Sequence, residues 1–179
     1  IRTHFIRSCV GSCISSYLLG LGDRHLENIL LTSDGKIFHI DFDYLLGEDP
    51  KHVSVEMMIT EDMLDMIGGR NSTHFKTFQR ECEQAYVKLR QRNNLWYFLF
   101  MYLHKRYPEK YSETEIQSYL IDKLVPGESN INANTEIIKI IRNSSDLYFP
   151  KYFTNFTHDI SRKIEKIGKY LDLRGYFNN

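Results

Sequence analysis

Apolar residues recur at helical spacing over most of the chain but form short runs near its start. From residue 3 to 19 they return every three or four positions, which predicts a helix that ends at Gly20. Two short apolar runs, 29–31 and 37–40, then flank Asp34-Gly35, a pair typical of a tight hairpin turn. The pattern therefore predicts one helix followed by one small β-hairpin.

Beyond residue 60 the pattern is helical. The predicted helical segments are 60–68, 75–89, 95–107, 112–125, 134–145 and 151–172. The segment 95–107 is apolar nearly all round, which predicts a buried helix. Ser112 and Glu115 have the spacing of a capping box, which fixes the start of the next helix. Together with the hairpin, these segments predict an α+β fold that is mostly helical.

Composition narrows the class of protein. The 179 residues are 42% hydrophobic and 26% charged, which is ordinary for one globular domain. Lys plus Arg and Asp plus Glu both total 23, so the balanced charge argues against a nucleic-acid partner. No apolar run approaches the ~18 residues that span a bilayer. The chain opens on Ile1, and we expect it to be a piece of a longer protein.

The three cysteines, Cys9, Cys13 and Cys82, are too few for a disulfide framework. This usage is typical of a reducing compartment. We expect the three side chains to be small buried hydrophobes rather than metal ligands.

Candidate chemistry lies between Gly20 and Glu56. In protein kinases a catalytic Asp and a metal-binding Asn are five residues apart, and a second metal-binding Asp precedes a Phe. Asp23 and Asn28 have this spacing, the hairpin follows them, and Asp41-Phe42 comes next. Because a hairpin returns the chain to the end where it began, Asp41 is expected to lie close to Asn28. The sequence thus favours phosphoryl transfer.

The stretches GLGDRHLENILL (20–31) and HIDF (39–42) resemble the catalytic and metal-binding loops of the phosphatidylinositol 3-/4-kinase superfamily. That superfamily has Asp-Arg-His where ordinary protein kinases have His-Arg-Asp. Within it, YLLGEDPK (44–51), Gly68-Gly69 and FQREC (78–82) resemble class III phosphatidylinositol 3-kinases. The resemblance covers residues 1–105 well and implies that 1–179 is a kinase-like C-terminal lobe.

The resemblance also implies a role for individual residues. Asp23 and His25 form the catalytic pair, and which of them is the formal base stays open. Asn28 and Asp41 hold Mg²⁺ (or Mn²⁺) beside the phosphates of ATP. Leu30 and Ile40 wall the adenine pocket, or else serve only as core residues. Arg24 is expected to be structural, paired with a nearby carboxylate.

Two departures from the family qualify this expectation. The family has Gly where this chain has Asp43, a position where Gly tolerates positive φ and lets the following loop swing. Asp43 also adds negative charge beside the expected metal ligands. Only 22 residues precede Asp23, which leaves no room for the N-terminal lobe with its glycine-rich loop and lysine. We therefore expect the chain alone to be inactive.

The loop after Asp41 is acidic. From Asp41 itself to Glu56 there are five carboxylates against Lys51 and His52, so the loop favours a headgroup without extra phosphates. We expect the substrate to be phosphatidylinositol, phosphorylated at its 3-hydroxyl, with Lys51 contacting the phosphodiester. The alternatives are a phosphatidylinositol 4-kinase, a related protein serine/threonine kinase, and a non-catalytic scaffold in which Asp43 marks a decayed site.

The last predicted helix carries an apolar stripe with lysines largely off it, within the segment 151–179. A basic amphipathic helix suits an anionic membrane surface, although it also suits packing against the lobe. The resemblance implies a cytoplasmic enzyme, peripheral on endosomal or other intracellular membranes, that acts in autophagy with regulatory subunits.

Overall fold

Six α-helices and one two-stranded antiparallel sheet form the part of the chain that the structure, a computed structural model, describes: residues 1–24, 26–49 and 56–146. The elements in order are α1 (Arg2–Leu19), β1 (Ile29–Leu31), β2 (Ile37–His39), α2 (Glu61–Ile67), α3 (Thr73–Arg90), α4 (Asn93–Arg106), α5 (Glu113–Leu124) and α6 (Asn130–Asp146). The predicted mostly helical fold with a small hairpin is confirmed.

The other elements pack around α1, which contacts α2, α3, α5 and β2. Apolar side chains at helical spacing are buried along it, as the pattern predicts, and it ends at Gly20 with φ 58°. Cys9 and Cys13 of α1 lie with Cys82 of α3 in the larger of two core clusters. All three cysteines are free and buried, and burial raises the pKa of the Cys13 thiol to about 12. They are packing residues, as expected.

The hairpin has the predicted position and turn. β1 and β2 pair in a register that sets Leu30 opposite Phe38, and Gly35 takes the positive φ that the turn requires. Ile29 and Ile37 are buried against the larger core, while Leu30 and Phe38 are exposed. The hairpin therefore lies on the helical block with one face and presents the other to solvent.

Side-chain caps start α2 and α3. The hydroxyl of Thr60 accepts the Met63 N–H at 3.2 Å, and that of Ser72 accepts the Phe75 N–H at 3.0 Å. Gly68 ends α2 in the left-handed conformation, as predicted. The stripe predicted for α3 is buried against α1 and α6.

The prediction for the segment 95–107 is right that a helix forms there and wrong that this helix is buried. α4 forms there, but Phe100 is its only buried residue. Leu95, Phe98 and Tyr102 are each half or more exposed. Of the elements that the structure describes, α5 is the main neighbour of α4, so one face is covered. An all-apolar pattern indicates burial only when neighbours cover every side, and here they do not.

α5 opens with the predicted capping box, in which Ser112 and Glu115 bond each other's backbone N–H. It ends where Val125 adopts φ 37°, an outlier for a β-branched residue. The buried guanidinium of Arg90 holds this turn by donating to the Leu124, Val125 and Glu128 carbonyls and to Asn130. The last helix within the described ranges starts earlier than residue 134, because Ser129 caps it through the Asn132 N–H.

Three sequence predictions lie outside the described residues: the helix over 151–172, the position of His25, and that of Lys51. Within the described ranges, no helix combines the length and apolar character needed to cross a bilayer.

Candidate active site

The loop that joins α1 to β1 carries the predicted catalytic residues. Its residue Asp23 has φ 49°, in the left-handed region. The Asp23 N–H donates to Asp49 Oδ2 at 3.2 Å, and the Gly22 N–H donates to the Tyr44 carbonyl at 3.1 Å. The segment that follows the hairpin therefore holds this loop in position.

Asn28 closes this loop. Its side chain is buried, and Nδ2 donates to the Asp23 carbonyl at 3.1 Å. Its own carbonyl accepts the Ile40 N–H at 2.9 Å. The Asn28 backbone is therefore paired with Ile40, the residue that precedes Asp41 in the chain.

The side chain of Arg24 connects the catalytic loop to the residues that follow β2. Its guanidinium donates to the Gly22 carbonyl at 2.6 Å, the Asp41 carbonyl at 2.7 Å and the Ile40 carbonyl at 3.3 Å. These bonds give Arg24 the structural role that was expected of it. The prediction named a nearby carboxylate as its partner, whereas the acceptors of these hydrogen bonds are backbone carbonyls. Burial lowers the pKa of Arg24, while the nearby charges of Asp41, Asp23 and Asp49 oppose that shift.

Asp41 has a left-handed backbone, with φ 65°, and is exposed. Its Oδ1 accepts the Asp43 N–H at 3.1 Å. Asp43 itself is not among the residues with positive φ, so the expectation that this position needs a glycine-like conformation is wrong here. Asp41 and Asp23, the carboxylates predicted to carry the chemistry, are two of the four described non-glycine residues with positive φ, together with Leu46 and Val125.

The donor set fits a divalent cation. Asn28, whose Nδ2 donates to a backbone carbonyl, carries an amide oxygen, and Asp41 carries a carboxylate. Oxygen ligands of this kind suit Mg²⁺, which is bound through one or two side chains together with substrate phosphates. Within the described ranges, no group of three His, Cys, Asp or Glu side chains forms a site from protein ligands alone.

One exposed apolar surface adjoins these residues. Leu30 and Phe38 are paired across the hairpin, and Ile40 follows on the same face by strand alternation. All three are more than a third exposed. Leu30 and Ile40 were predicted to contact adenine. Phe38, which that prediction did not include, lies on the same exposed face, as the two-residue alternation of strands indicates.

The segment from Tyr44 to Asp49 lies against the catalytic loop. The Leu46 N–H donates to the Leu19 carbonyl and the Gly47 N–H to the Gly20 carbonyl, both at 2.9 Å. A Cβ on Gly22 would lie 1.9 Å from the Glu48 carbonyl oxygen, so this contact requires glycine. The position of Asp23 therefore depends on the loop after Asp41.

A mostly helical block with one small antiparallel hairpin is consistent with a kinase-like lobe. Residues 1–109, more than half of the chain, match the family model for phosphatidylinositol 3- and 4-kinase. The chain belongs to this family, whose kinases use ATP and a divalent metal ion.

The chain is also similar to curated relatives. It is 35% identical to phosphatidylinositol 3-kinase pik3 of Schizosaccharomyces pombe over 150 residues, which cover 83% of this chain and 19% of that protein. It is 45% identical to phosphatidylinositol 3-kinase VPS34 of Arabidopsis thaliana over 96 residues, covering 54% and 12% respectively. The Saccharomyces cerevisiae VPS34 is 42% identical over 100 residues, covering 56% and 11%. The chain thus spans a fifth or less of the length of these relatives.

Proposed function

We propose that the protein to which this chain belongs is a lipid kinase that transfers the γ-phosphate of ATP to the 3-hydroxyl of phosphatidylinositol. The observation that carries this proposal is the hydrogen-bonded connection of Asp23, Asn28 and Ile40-Asp41 in a chain of this family. The similarity to proteins named phosphatidylinositol 3-kinase supports the substrate.

The residues divide the chemistry between them. Asp23 orients the attacking inositol hydroxyl, and His25 accepts its proton or stabilises the transferring phosphate. Asn28 and Asp41 hold Mg²⁺ or Mn²⁺. When bound, the metal neutralises charge that develops on the ATP phosphates. Arg24 keeps the two ligand-bearing segments together through the three carbonyls described above.

The substrate surfaces flank this centre. Leu30, Phe38 and Ile40 form the apolar face against which adenine packs. Lys51 pairs with the single phosphodiester of phosphatidylinositol. The acidic residues around it disfavour headgroups that already carry phosphates. We place the protein on the cytoplasmic face of endosomal or related membranes, where it acts with regulatory subunits.

The test is a kinase assay on the full-length protein with ATP, Mg²⁺ and phosphatidylinositol vesicles. We expect phosphatidylinositol 3-phosphate as the product, identified by chromatography of the deacylated headgroup. Asp41→Asn and Asn28→Ala should each lower turnover by at least about 100-fold, because a metal ligand is lost. His25→Ala should lower turnover with nucleotide affinity largely retained.

Asp65→Asn is the matched control, because Asp65 is exposed on α2. Near-normal turnover in the Asp41 or Asn28 variants would contradict the site assignment. A 4-phosphate product from the wild-type protein would contradict the regiochemistry and leave the site intact. Collapse of nucleotide binding in His25→Ala would make that residue structural.

A further inference from the structure

The segment that follows Asp41 is attached at both of its described ends to lysines far along the chain. Near the start, Lys110 Nζ lies 2.9 Å from the Glu48 carboxylate and donates to the Asp43 carbonyl at 3.4 Å. At the other end, Lys123 Nζ lies 2.9 Å from the Glu56 carboxylate. Both lysines lie beyond residue 109, where the family match ends.

Lys123 is the more firmly held of the two. Its side chain is only 13% exposed, and Nζ lies 4.7 Å from the ring centre of Tyr17 and 5.9 Å from that of Tyr119. Aromatic faces attract a cation, so the two rings fix the ammonium as well as cover it. The Lys123 carbonyl in turn accepts the Tyr86 hydroxyl at 2.7 Å. Residues of α1, α3 and α5 therefore determine where Glu56 is bound.

Lys110 supports the other end from a more exposed position. Its side chain is 45% exposed, and Nζ lies 5.0 Å from the Tyr111 ring centre. The carboxylate that it binds, Glu48, adjoins Leu46 and Gly47, whose N–H groups bond the α1 terminus. Side-chain and backbone contacts thus hold the same few residues.

We propose that Lys110 and Lys123 are positioning residues for phosphorylation of the lipid headgroup, acting through Glu48 and Glu56. This inference rests on the proposed lipid kinase function. The Lys123 pair fixes Glu56 to α5, and the Lys110 pair fixes Glu48 to the turn before α5. With both described ends held, less entropy is lost when a headgroup binds beside them. Each pair also compensates a carboxylate that would otherwise repel an anionic headgroup.

Lys123→Met tests the proposal in the full-length protein, because Met keeps the apolar stem and removes the charge. We expect the KM for phosphatidylinositol vesicles to rise about three- to tenfold, the scale of a partly buried ion pair. ATP hydrolysis without lipid and the KM for ATP should stay unchanged. Lys123→Arg should have the wild-type KM for phosphatidylinositol vesicles, because arginine keeps a cation over the two aromatic rings.

Glu56→Gln removes the charge of the other partner of this ion pair. Because the Glu56 side chain is half exposed, we expect this variant to fold. It should raise the KM for lipid as Lys123→Met does, and the double variant should be no worse than Lys123→Met alone. Lys139→Met is the control, since Lys139 pairs with Glu136 at 2.6 Å on the exposed surface of α6. It should leave both KM values unchanged.

Hydrogen exchange provides a readout without turnover. In Lys123→Met and Glu56→Gln, amides of 56–59 should exchange faster than in the wild type, with those of α3 unaffected. An unchanged KM for lipid, or a loss of lipid and ATP turnover in proportion to a lower melting temperature, would overturn the positioning role. If the wild-type protein phosphorylates no phosphatidylinositol, the proposed function fails, and the exchange experiment still decides whether Lys123 holds its end of the segment.

Discussion

Asp23 and Asp41 both adopt left-handed backbone conformations, with φ of 49° and 65°. Such conformations cost free energy for any residue with a Cβ, and they persist only where the surroundings enforce them. Here Asn28, Arg24 and Asp49 bond the backbone at or beside the two aspartates. Two of the four described non-glycine residues with positive φ are therefore the carboxylates that the sequence pattern selects for chemistry, and the other two are Leu46 and Val125.

A substitution at Gly22 tests whether the segment 44–49 must lie in close contact with the catalytic loop. Gly22→Ala should displace that segment, because its Cβ would overlap the Glu48 carbonyl oxygen. We expect a loss of about 2 kcal/mol in unfolding free energy, typical of overpacking, and at least a tenfold loss of lipid kinase turnover. Urea unfolding and the vesicle assay measure the two effects.

Gly11→Ala is the matched control for Gly22→Ala. Gly11 lies within α1, and an added Cβ would have nothing within 4 Å. Alanine there should stabilise the helix by about 0.5–1 kcal/mol. Equal stability and activity in the two alanine variants would show that the segment does not need its close contact with the loop.

Asp43→Gly is expected to leave lipid kinase turnover unchanged or to raise it. The carboxylate of Asp43 adds negative charge beside Asp41, and the described hydrogen bonds of Asp43 involve its backbone N–H and carbonyl. Removing the side chain therefore keeps these bonds, and glycine gives the backbone at this position more conformational freedom. Steady-state turnover on phosphatidylinositol checks this, and a clear fall would mean that the carboxylate takes part in the reaction.

Helix ends in this chain follow local rules, whereas helix burial depends on neighbours that the local sequence does not specify. The caps at Thr60 and Ser112 and the stops at Gly20 and Gly68 were predictable, since each depends on residues within one turn. The exposed face of α4 was not predictable. Its apolar content was read as burial, but whether a face is covered depends on where other helices pack.

Arg90 is the residue on which the turn between α5 and α6 depends. Arg90→Met should keep the packing of the side-chain stem and remove the hydrogen bonds that hold Val125 and its neighbours. We expect a loss of about 3 kcal/mol in unfolding free energy, since several buried bonds to a charged donor are broken at once. Arg80→Met, at an exposed position of the same helix, should change it by less than about 0.5 kcal/mol. Equal effects in the two variants would contradict this role.

At the scale of the whole molecule, the sequence was sufficient to predict contacts between residues close together in the chain. It was not sufficient to predict contacts between residues far apart in the chain. The hydrogen bonds that connect Asn28 to Asp23 and to Ile40 follow from one loop and one hairpin, which the local sequence specifies. Lys110 and Lys123 were not, because each meets its carboxylate across more than 60 residues of sequence. The sequence around these lysines has no distinctive pattern, and only the tertiary packing of α5 and of the turn before it gives each of them a specific partner.

The last prediction concerns the segment 151–179, which lies outside the described residues and is argued from its sequence. Six apolar residues are spaced by three or four positions there: Phe153, Phe156, Ile160, Ile164, Ile167 and Leu171. The segment has six Lys or Arg against three Asp or Glu. Deleting 160–179 from the full-length protein should weaken binding to anionic vesicles at least about tenfold, because several cations are removed at about 1 kcal/mol each. Activity on membrane lipid should fall, while basal ATP hydrolysis persists.

A charge variant separates membrane binding from packing. Changing Lys163, Lys166 and Lys169 to Gln keeps the apolar stripe, so a helix that only packs against the lobe would tolerate it. A helix that contacts the bilayer would lose vesicle affinity, and the remaining binding would depend less on salt, since exposed charges are screened within about 10 Å at 0.1 M. Vesicle sedimentation at two salt concentrations measures both quantities. Unchanged binding in the deletion and the charge variant would assign the segment to core packing.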